Sequence, residues 1–399
     1  MKTEIFTENL DKAAELIKAG GLVAVPTETV YGLAGNGLDA GAVERIYEVK
    51  GRPAVKALAL MVPDASAMEL YCEAVPRQAK QLAECFWPGP LSIVLKSKDI
   101  VPDIVRAGGS TVALRCPDHP MTLELLRVSE LPFAAPSANP SGMPSPKNAE
   151  TVREYFDGRI EGIIDGGECG IGTESTILDM SRTPYRILRQ GALPEKEIRA
   201  ALRKSLRVVG VTGGTGCGKT TALAELEKQG ALIIDCDEIY HRLLENSDEM
   251  LAELRAEFPG AFRDDCLDRK ALGRIVFSDG EKLLKLNSIT HSYIGAETER
   301  LMEDWAMQGG ETAAIDAIAL IESGMNKLCQ KVLGITADRE TRIERIMRRD
   351  GLSREYAALR VDAQRSDEFY RENCDFVAEN NGTEEEFAEK IRNLLKEVL

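Results

Sequence analysis

The stretch VVGVTGGTGCGKTTALAEL, beginning at Val208, constrains the fold more than any other part of the chain. An apolar run, a loop of the form G-x-x-x-x-G-K-[ST] and an Ala/Leu/Glu run follow one another, which is the order strand, phosphate-binding loop, helix. Flexible Gly213, Gly214, Gly216 and Gly218 let the backbone curl, so that amides from Gly213 through Thr215 and Cys217 to Thr221 can point at phosphate oxygens. Lys219 then neutralises the outer phosphates and Thr220 offers a hydroxyl to Mg²⁺. The bland alternative is a glycine-rich turn with a surface lysine, and the strand before and helix after the motif weigh against it.

This motif starts only past the middle of 399 residues, so it leaves some two hundred residues to another purpose. A chain of this length exceeds what one hydrophobic core usually serves, and we expect two domains. With 44% apolar and 29% charged residues there is enough Val, Ile and Leu for two cores. No run approaches the length of a membrane span, and MKTEIFTENLDKAAELIKAG has acidic residues where a signal peptide would be apolar, so we read the chain as cytoplasmic, with no membrane partner. The net charge is −3 up to Leu206 and −12 beyond it, making −15 overall. Any anionic ligand must be held by local cations against a mildly repulsive field.

Nine cysteines stand singly, without C-x-x-C pairs, and three histidines lie in separate segments. Zinc-site and disulfide spacings are missing, as are the makings of a Ser-His-Asp triad. Chemistry is left to cations, carboxylates and backbone amides.

The second half alternates apolar runs (RVVGV, ALIIDCD, TAAIDAIAL, KVLGIT) with helical patterns, the layout of a doubly wound parallel α/β sheet. In IIDCDEIYHRLL, Asp235 and Asp237 alternate about Cys236, which places both carboxylates on one side of a strand end bordering the ligand crevice. One of them can take a proton from a hydroxyl or hold a metal's water; equally, Asp237 can cap the helix EIYHRLL. Arg342, Arg345, Arg348, Arg349 and Arg354 cluster after KVLGIT, either as a lid over a nucleotide or as a solvated helix. The last segment has Thr383 and Glu386 spaced as a capping box and Phe387, Ile391, Leu394, Leu395 and Val398 on one face, so it should pack on the sheet.

Through TGGTGCGKTT, IIDCD, LDRKALGRIVF, LNSITH, ERIMRRDGLSRE and ENNG, nearly all of residues 207 to 399 resembles dephospho-coenzyme A kinase. The resemblance implies ATP-dependent phosphorylation of the ribose 3′-hydroxyl of dephospho-coenzyme A and a helical lid. It places the general base on Asp237, the phosphate loop on Gly214 to Thr221, lid cations on Arg345 and Arg349, and Mg²⁺ near Thr220 and, through water, Asp235. Ser292 stands where the family usually has proline.

In the first half, a helix at NLDKAAELIKAG ends in Gly20 and Gly21, and a buried strand LVAV runs into the polar turn PTETVYGLAGNG. Lys50, Arg52 and Lys56 follow within seven residues, and Pro53 prevents one amphipathic helix from carrying all three. A rigid loop presenting charge to a triphosphate and a solvated basic turn both fit. PFAAPSANPSGMPSP offers Ser137 and Asn139 in a loop whose prolines limit the ordering a ligand would have to impose, and GGECGIGTESTILDM offers Glu174, Ser175 and Thr176 in a second loop dense in hydrogen-bonding groups. Each loop alone could be an ordinary turn.

Together, PTETVYGL, KGRP, FWPGPLSIVL, PDHP, APSANPSG and ESTI resemble, in order and over nearly all of residues 5 to 193, the threonylcarbamoyl-AMP synthase family with its YrdC-like fold. The resemblance implies a twisted, mostly mixed sheet with a concave cleft. It implies conversion of L-threonine, bicarbonate and ATP to threonylcarbamoyl-AMP and pyrophosphate, for threonylcarbamoylation of adenosine in certain tRNAs. Arg52, Lys56, Thr111, Ser137 and Arg189 fall where the family contacts ATP. Thr29, Arg115 and Ser175 fall where it holds threonine, and Lys50 and Asn139 complete its K-x-R and S-x-N patterns. Ala57 replaces a common proline. No nucleophile beside a base is required, because the carbamate of threonine itself attacks the α-phosphorus.

The expected organisation is thus residues 1–193, a short connecting helix over 194–206, and residues 207–399. Expected partners are the small substrates and a tRNA-modifying transferase that receives threonylcarbamoyl-AMP; direct tRNA contact is left open. Carbamoyl transfer of the hydrogenase-maturation type would need zinc and acylphosphatase modules for which the chain has no room. An idle RNA-binding module and another P-loop kinase are the remaining alternatives.

Overall fold

The structure, a computed structural model, describes residues 2–8, 10–264 and 266–398. It divides into two compact units: one takes the chain up to Ser205 with Met307–Gly309, the other takes Leu206–Ala306 and the chain from Gly310. The expected connecting helix is Glu195–Lys204, and it belongs to the first unit. Its Ile198, Ala201 and Leu202 are buried and it packs along the helix Arg77–Phe86.

The first unit is built on a ten-stranded mixed sheet. Its strands lie in the order Glu4–Phe6, Gly162–Ile164, Val23–Val25, Gly32–Asn36, Phe133–Ala134, Ala59–Met61, Thr111–Arg115, Leu91–Lys96, Thr176–Asp179 and Arg186–Arg189. Most strands are short apolar runs buried on both faces, as Val23–Val25 is. On one side Ala13, Ala14 and Ile17 of the helix Leu10–Lys18 meet Leu125 and Leu126 of the helix Pro120–Ser129 over Val25, Phe133 and Ile164. Six segments carry the polar residues of interest: the turn after Val25, the turn after Lys50, the loop after Ala134, the loop before Thr176 and the strands Thr111–Arg115 and Arg186–Arg189. Gly32 bridges directly to Ser137, which ties the first of these to the third.

The second unit is a five-stranded, all-parallel sheet in the order Leu232–Asp235, Thr312–Asp316, Arg207–Thr212, Lys331–Thr336, Phe376–Glu379. The glycine-rich loop leaves the central strand and enters the helix Lys219–Lys228. The same face receives the helix Glu384–Val398, whose Phe387, Ile391 and Leu395 join Leu223 and Leu226 over Val209, Val211 and Ile335. Its expected capping box is formed: the Thr383 amide donates to Glu386 Oε2 at 2.9 Å and the Glu386 amide to Thr383 Oγ1 at 3.3 Å. A separate helical cluster around Met250, Leu254, Phe258 and Leu272 involves the long helix Gly280–Met307 through Leu286 and Ile289. The helices Arg339–Asp350 and Arg354–Asp362 share a small core of Ile343, Ile346, Ala357 and Val361. Among the described residues no helix is long and apolar enough to cross a membrane.

The closing helix is held by few large side chains, of which Phe387 is 3% exposed. Phe387→Ala should destabilise the second unit by about 3–5 kcal/mol. Chemical denaturation should show one unfolding transition shifted to lower denaturant and the other unmoved.

Candidate functional sites

The glycine-rich loop is shaped by close approach. Gly213 has φ +149°, and a Cβ there would lie 2.3 Å from the carbonyl oxygen of Ile335; Gly218 has φ +98°, and a Cβ there would lie 2.1 Å from Asn380 Nδ2. Asn380 Nδ2 donates to the carbonyl of Cys217 at 2.9 Å, and Arg345 Nη1 donates to the carbonyl of Asn380 at 3.1 Å. Behind the loop, buried Arg342 donates through Nε to the Thr215 carbonyl at 3.0 Å and through Nη2 to Gln364 Oε1 at 2.5 Å. Gln364 in turn accepts from the Thr215 amide and donates to its hydroxyl, both at 2.8 Å.

A cavity of about 940 Å³ opens in front, lined by Gly214, Gly216, Gly218, Lys219, Thr220 and Thr221 of the loop and by Arg345, Arg348, Arg349, Asn380, Gly382 and Thr383. Gly213, Thr215 and Cys217 of the motif do not line it. Cys217 is 1% exposed and burial pushes its thiol up to about 11, so it serves as packing. The arginine cluster divides by surroundings. Arg349 lies at the cavity but is tied to Asp350 at 2.6 Å, Arg354 pairs with Glu340, and Arg348 lines the cavity with no polar partner among the described residues.

Lys219 Nζ donates to Asp316 Oδ1 at 2.6 Å, with both side chains about 15% exposed or less. Burial raises the Asp316 carboxyl, Lys219 pulls it back, and Asp235 and Asp237 push it up again. Asp316 ends its strand opposite Asp235. In the sequence Asp316 is only an aspartate closing the apolar run TAAID; its place beside the loop's own strand is seen in the structure.

One expectation is corrected here. The strand stops at Asp235, whose side chain caps the next helix by accepting from the amides of Asp237 at 2.8 Å and Glu238 at 3.1 Å. Asp237 therefore sits in the first helical turn, not on the strand, and the cap lies two residues before Asp237, at Asp235. The cause is local: Asp235 satisfies two amides that would otherwise be unpaired, which favours helix from Cys236. Asp237 lines a second, mostly apolar cavity of about 290 Å³ with Tyr240, Phe277, Leu286, Asn287 and His291. Burial lowers the His291 pKa, favouring the neutral ring.

In the first unit a cavity of about 140 Å³ is lined by Arg52, Arg115, Ser137, Glu174, Ser175 and Arg189, together with Tyr31 and Ser92, which no sequence pattern singles out. Arg189 donates to the Ser175 carbonyl at 2.8 Å, and the Ser92 and Ser175 hydroxyls meet at 2.9 Å. Arg52 donates to the carbonyls of Lys56 and Ala57 at 3.1 and 3.0 Å, which curls its own loop around it.

The other expected residues lie behind or beside this lining. Lys50 is 3% exposed and donates to the carbonyls of Ser137 and Asn139, so it fastens the proline-rich loop instead of facing solvent; burial, with Arg52 nearby, pushes it down to about 8. Asn139 donates to the carbonyls of Pro140 and Met143 at 3.0 and 2.6 Å and accepts from the Ser137 hydroxyl. Thr29 is fully buried and accepts from Arg115 Nη2 at 2.8 Å. Thr111 starts its strand opposite Lys96, and Lys56 is exposed, its ammonium without a partner among the described residues. Among the described residues no group of three His, Cys, Asp or Glu side chains could hold a metal ion by itself.

Residues 15–191 match the family model described as "Telomere recombination", which covers Sua5, YciO and YrdC proteins, and residues 207–386 match that of dephospho-CoA kinase. A threonylcarbamoyl-AMP synthase of Pyrococcus abyssi is 50% identical over 190 residues, 48% of this chain and 56% of that one. A putative threonylcarbamoyl-AMP synthase of Mycobacterium tuberculosis is 36% identical over 191 residues, 48% of this chain and 87% of its own. A dephospho-CoA kinase of Dehalococcoides mccartyi is 36% identical over 200 residues, 49% of this chain and 98% of its own. The chain thus spans little more than half the length of the Pyrococcus synthase and nearly all of the kinase.

Because a side chain at position 218 meets both a positive φ and Asn380, Gly218→Ala should lower nucleotide affinity in the second unit about tenfold or more. Titration with a fluorescent ATP analogue measures it.

Proposed function

We propose, for a chain that belongs to the threonylcarbamoyl-AMP synthase family in its first half and to the dephospho-CoA kinase family in its second, two ATP-consuming activities on one polypeptide. The first joins L-threonine, bicarbonate and ATP into threonylcarbamoyl-AMP with release of pyrophosphate. The second moves the γ-phosphate of ATP to the ribose 3′-hydroxyl of dephospho-CoA. The observation that carries this reading is that each unit has its own cavity where cations converge, in a chain of net charge −15.

In the first cavity Arg115 takes the threonine carboxylate, since a planar guanidinium matches a carboxylate through two parallel bonds, and Ser175 fixes the amino acid beside it. Thr29 acts through Arg115, which it touches. Arg52, Lys56, Thr111, Ser137 and Arg189 hold ATP, while Lys50 and Asn139 keep the Ser137 loop in place. The amine of threonine adds to carbon dioxide with loss of a proton, or condenses with bicarbonate with loss of water, and the carbamate oxygen attacks the α-phosphorus as pyrophosphate leaves. The protein's work is orientation and stabilisation of the departing negative charge.

In the second cavity the loop amides and Lys219 receive the ATP phosphates. Lys219 is held ready by Asp316, a contact that loosens when phosphates compete for the ammonium. Arg345 and Arg348 close on the phosphates from the lid side. Asp237 accepts the proton of the acceptor hydroxyl, and the apolar cavity beside it receives the rest of the acceptor. The oxygen donors present, Thr220 with the carboxylates of Asp235 and Asp316, fit Mg²⁺, which is commonly held by one or two carboxylates and the substrate's own phosphates. The ion would neutralise charge on the phosphates.

Nine free cysteines fit a reducing compartment, and we place the protein in the cytoplasm. Threonylcarbamoyl-AMP would pass to a tRNA-modifying transferase.

The two reactions should separate by mutation. Arg52→Ala should lower threonine- and bicarbonate-dependent pyrophosphate release about 10²–10³-fold with kinase turnover unchanged. Asp237→Asn should lower dephospho-CoA phosphorylation about 10²–10⁴-fold with pyrophosphate release unchanged. Equal loss of both activities in either folded variant contradicts the assignment.

A further inference from the structure

The guanidinium of Arg115 carries five N–H donors. Nε donates to the carbonyl of Gly89 at 3.3 Å; the two hydrogens on Nη2 go to Glu28 Oε1 at 2.7 Å and Thr29 Oγ1 at 2.8 Å. Nη1 has no partner among the described residues. Arg115 lines the cavity, whereas Glu28 and Thr29 do not. Three donors are therefore held from behind, and the remaining pair is available to the cavity.

The holders are themselves held. Glu28 Oε2 accepts from the amide of Asp118 at 3.0 Å, so both oxygens of one carboxylate are in use. The Thr29 hydroxyl lies 2.9 Å from that of Thr27, which donates to the Val30 carbonyl at 2.6 Å and accepts from the amides of Thr29 and Val30. The side chains of Arg115 and Glu28 are 8% and 12% exposed. A buried guanidinium without a counter-charge would be costly, and one with a counter-charge on the cavity side would be blocked to a ligand. Here the counter-charge is on the far side.

We propose that Glu28 is a positioning residue of the first site: it holds Arg115 by Nη2 so that Nη1 meets the carboxylate of the amino-acid substrate. Glu28 acts through Arg115 without touching substrate, and the inference rests on Arg115 being the amino-acid clamp. The opposite role, a competitor that occupies Arg115 until substrate displaces it, makes the opposite prediction for affinity.

The test is steady-state pyrophosphate release by the full chain, varying L-threonine and ATP separately, for the wild type, Glu28→Ala and Glu28→Gln. Dephospho-CoA phosphorylation serves as the control for enzyme concentration, and thermal unfolding as the control for folding. For Glu28→Ala the KM for threonine should rise about 10- to 100-fold, the change that corresponds to losing one charge-assisted hydrogen bond, with the KM for ATP within about twofold. Glu28→Gln keeps an acceptor for Nη2 and should fall between the two. A threonine KM that is unchanged or lower overturns the proposal, as does a parallel rise in both KM values. If the alanine variant fails to fold, the glutamine variant decides by the same split. A wild type without threonine-dependent pyrophosphate release overturns the reading of Arg115 itself, a result distinct from an active wild type indifferent to Glu28.

Discussion

Fixing positive charge in an acidic protein is the constraint on which both sites depend. At net charge −15 the far field gives a polyanion no help, so cations must be concentrated locally and kept from collapsing onto the protein's own surface carboxylates. Four of the cations are half-buried or buried and clipped by chosen oxygens: Lys219 by Asp316, Arg115 by Glu28 and Thr29, Lys50 by the carbonyls of Ser137 and Asn139, Arg342 by Thr215 and Gln364. Desolvating a charge costs several kcal/mol, and these acceptors offset that cost while setting direction. Exposed Arg349, by contrast, pairs with the carboxylate of its neighbour Asp350.

The two units meet the same constraint differently because their sheets differ. In the all-parallel sheet the central strand runs straight into a helix, so backbone amides and the helix terminus supply much of the positive field and side chains complete it. In the ten-stranded mixed sheet no strand among the described residues feeds a helix in that way at the cavity, and side chains from well-separated loops and strands, Arg52, Arg115, Ser137, Ser175 and Arg189 among them, converge there. Convergence of that kind needs the loops themselves to be rigid, which is the part played by Lys50, Asn139 and the prolines around them.

The legible and illegible parts follow from range. The loop at 213–221, the capping box of Thr383 and Glu386, and the alternation that makes a parallel sheet are local patterns, and the structure has them where they were read. No local pattern marks Asp316 or Glu28, because each engages a cation more than eighty residues away, Lys219 and Arg115. Placing Lys50 in a presenting loop failed for the same reason: its carbonyl partners lie in a loop 87 and 89 residues on. The Asp235 and Asp237 pair was misread locally, since alternation implied a strand where a cap had already begun the helix.

If each unit binds its own nucleotide, isothermal titration of the full chain with a non-hydrolysable ATP analogue, in the presence of Mg²⁺ and L-threonine, should give two nucleotides per chain, with one lost in Lys219→Ala and the other retained. A wild-type stoichiometry of one, abolished by Lys219→Ala, would contradict this and leave a kinase joined to an unoccupied fold.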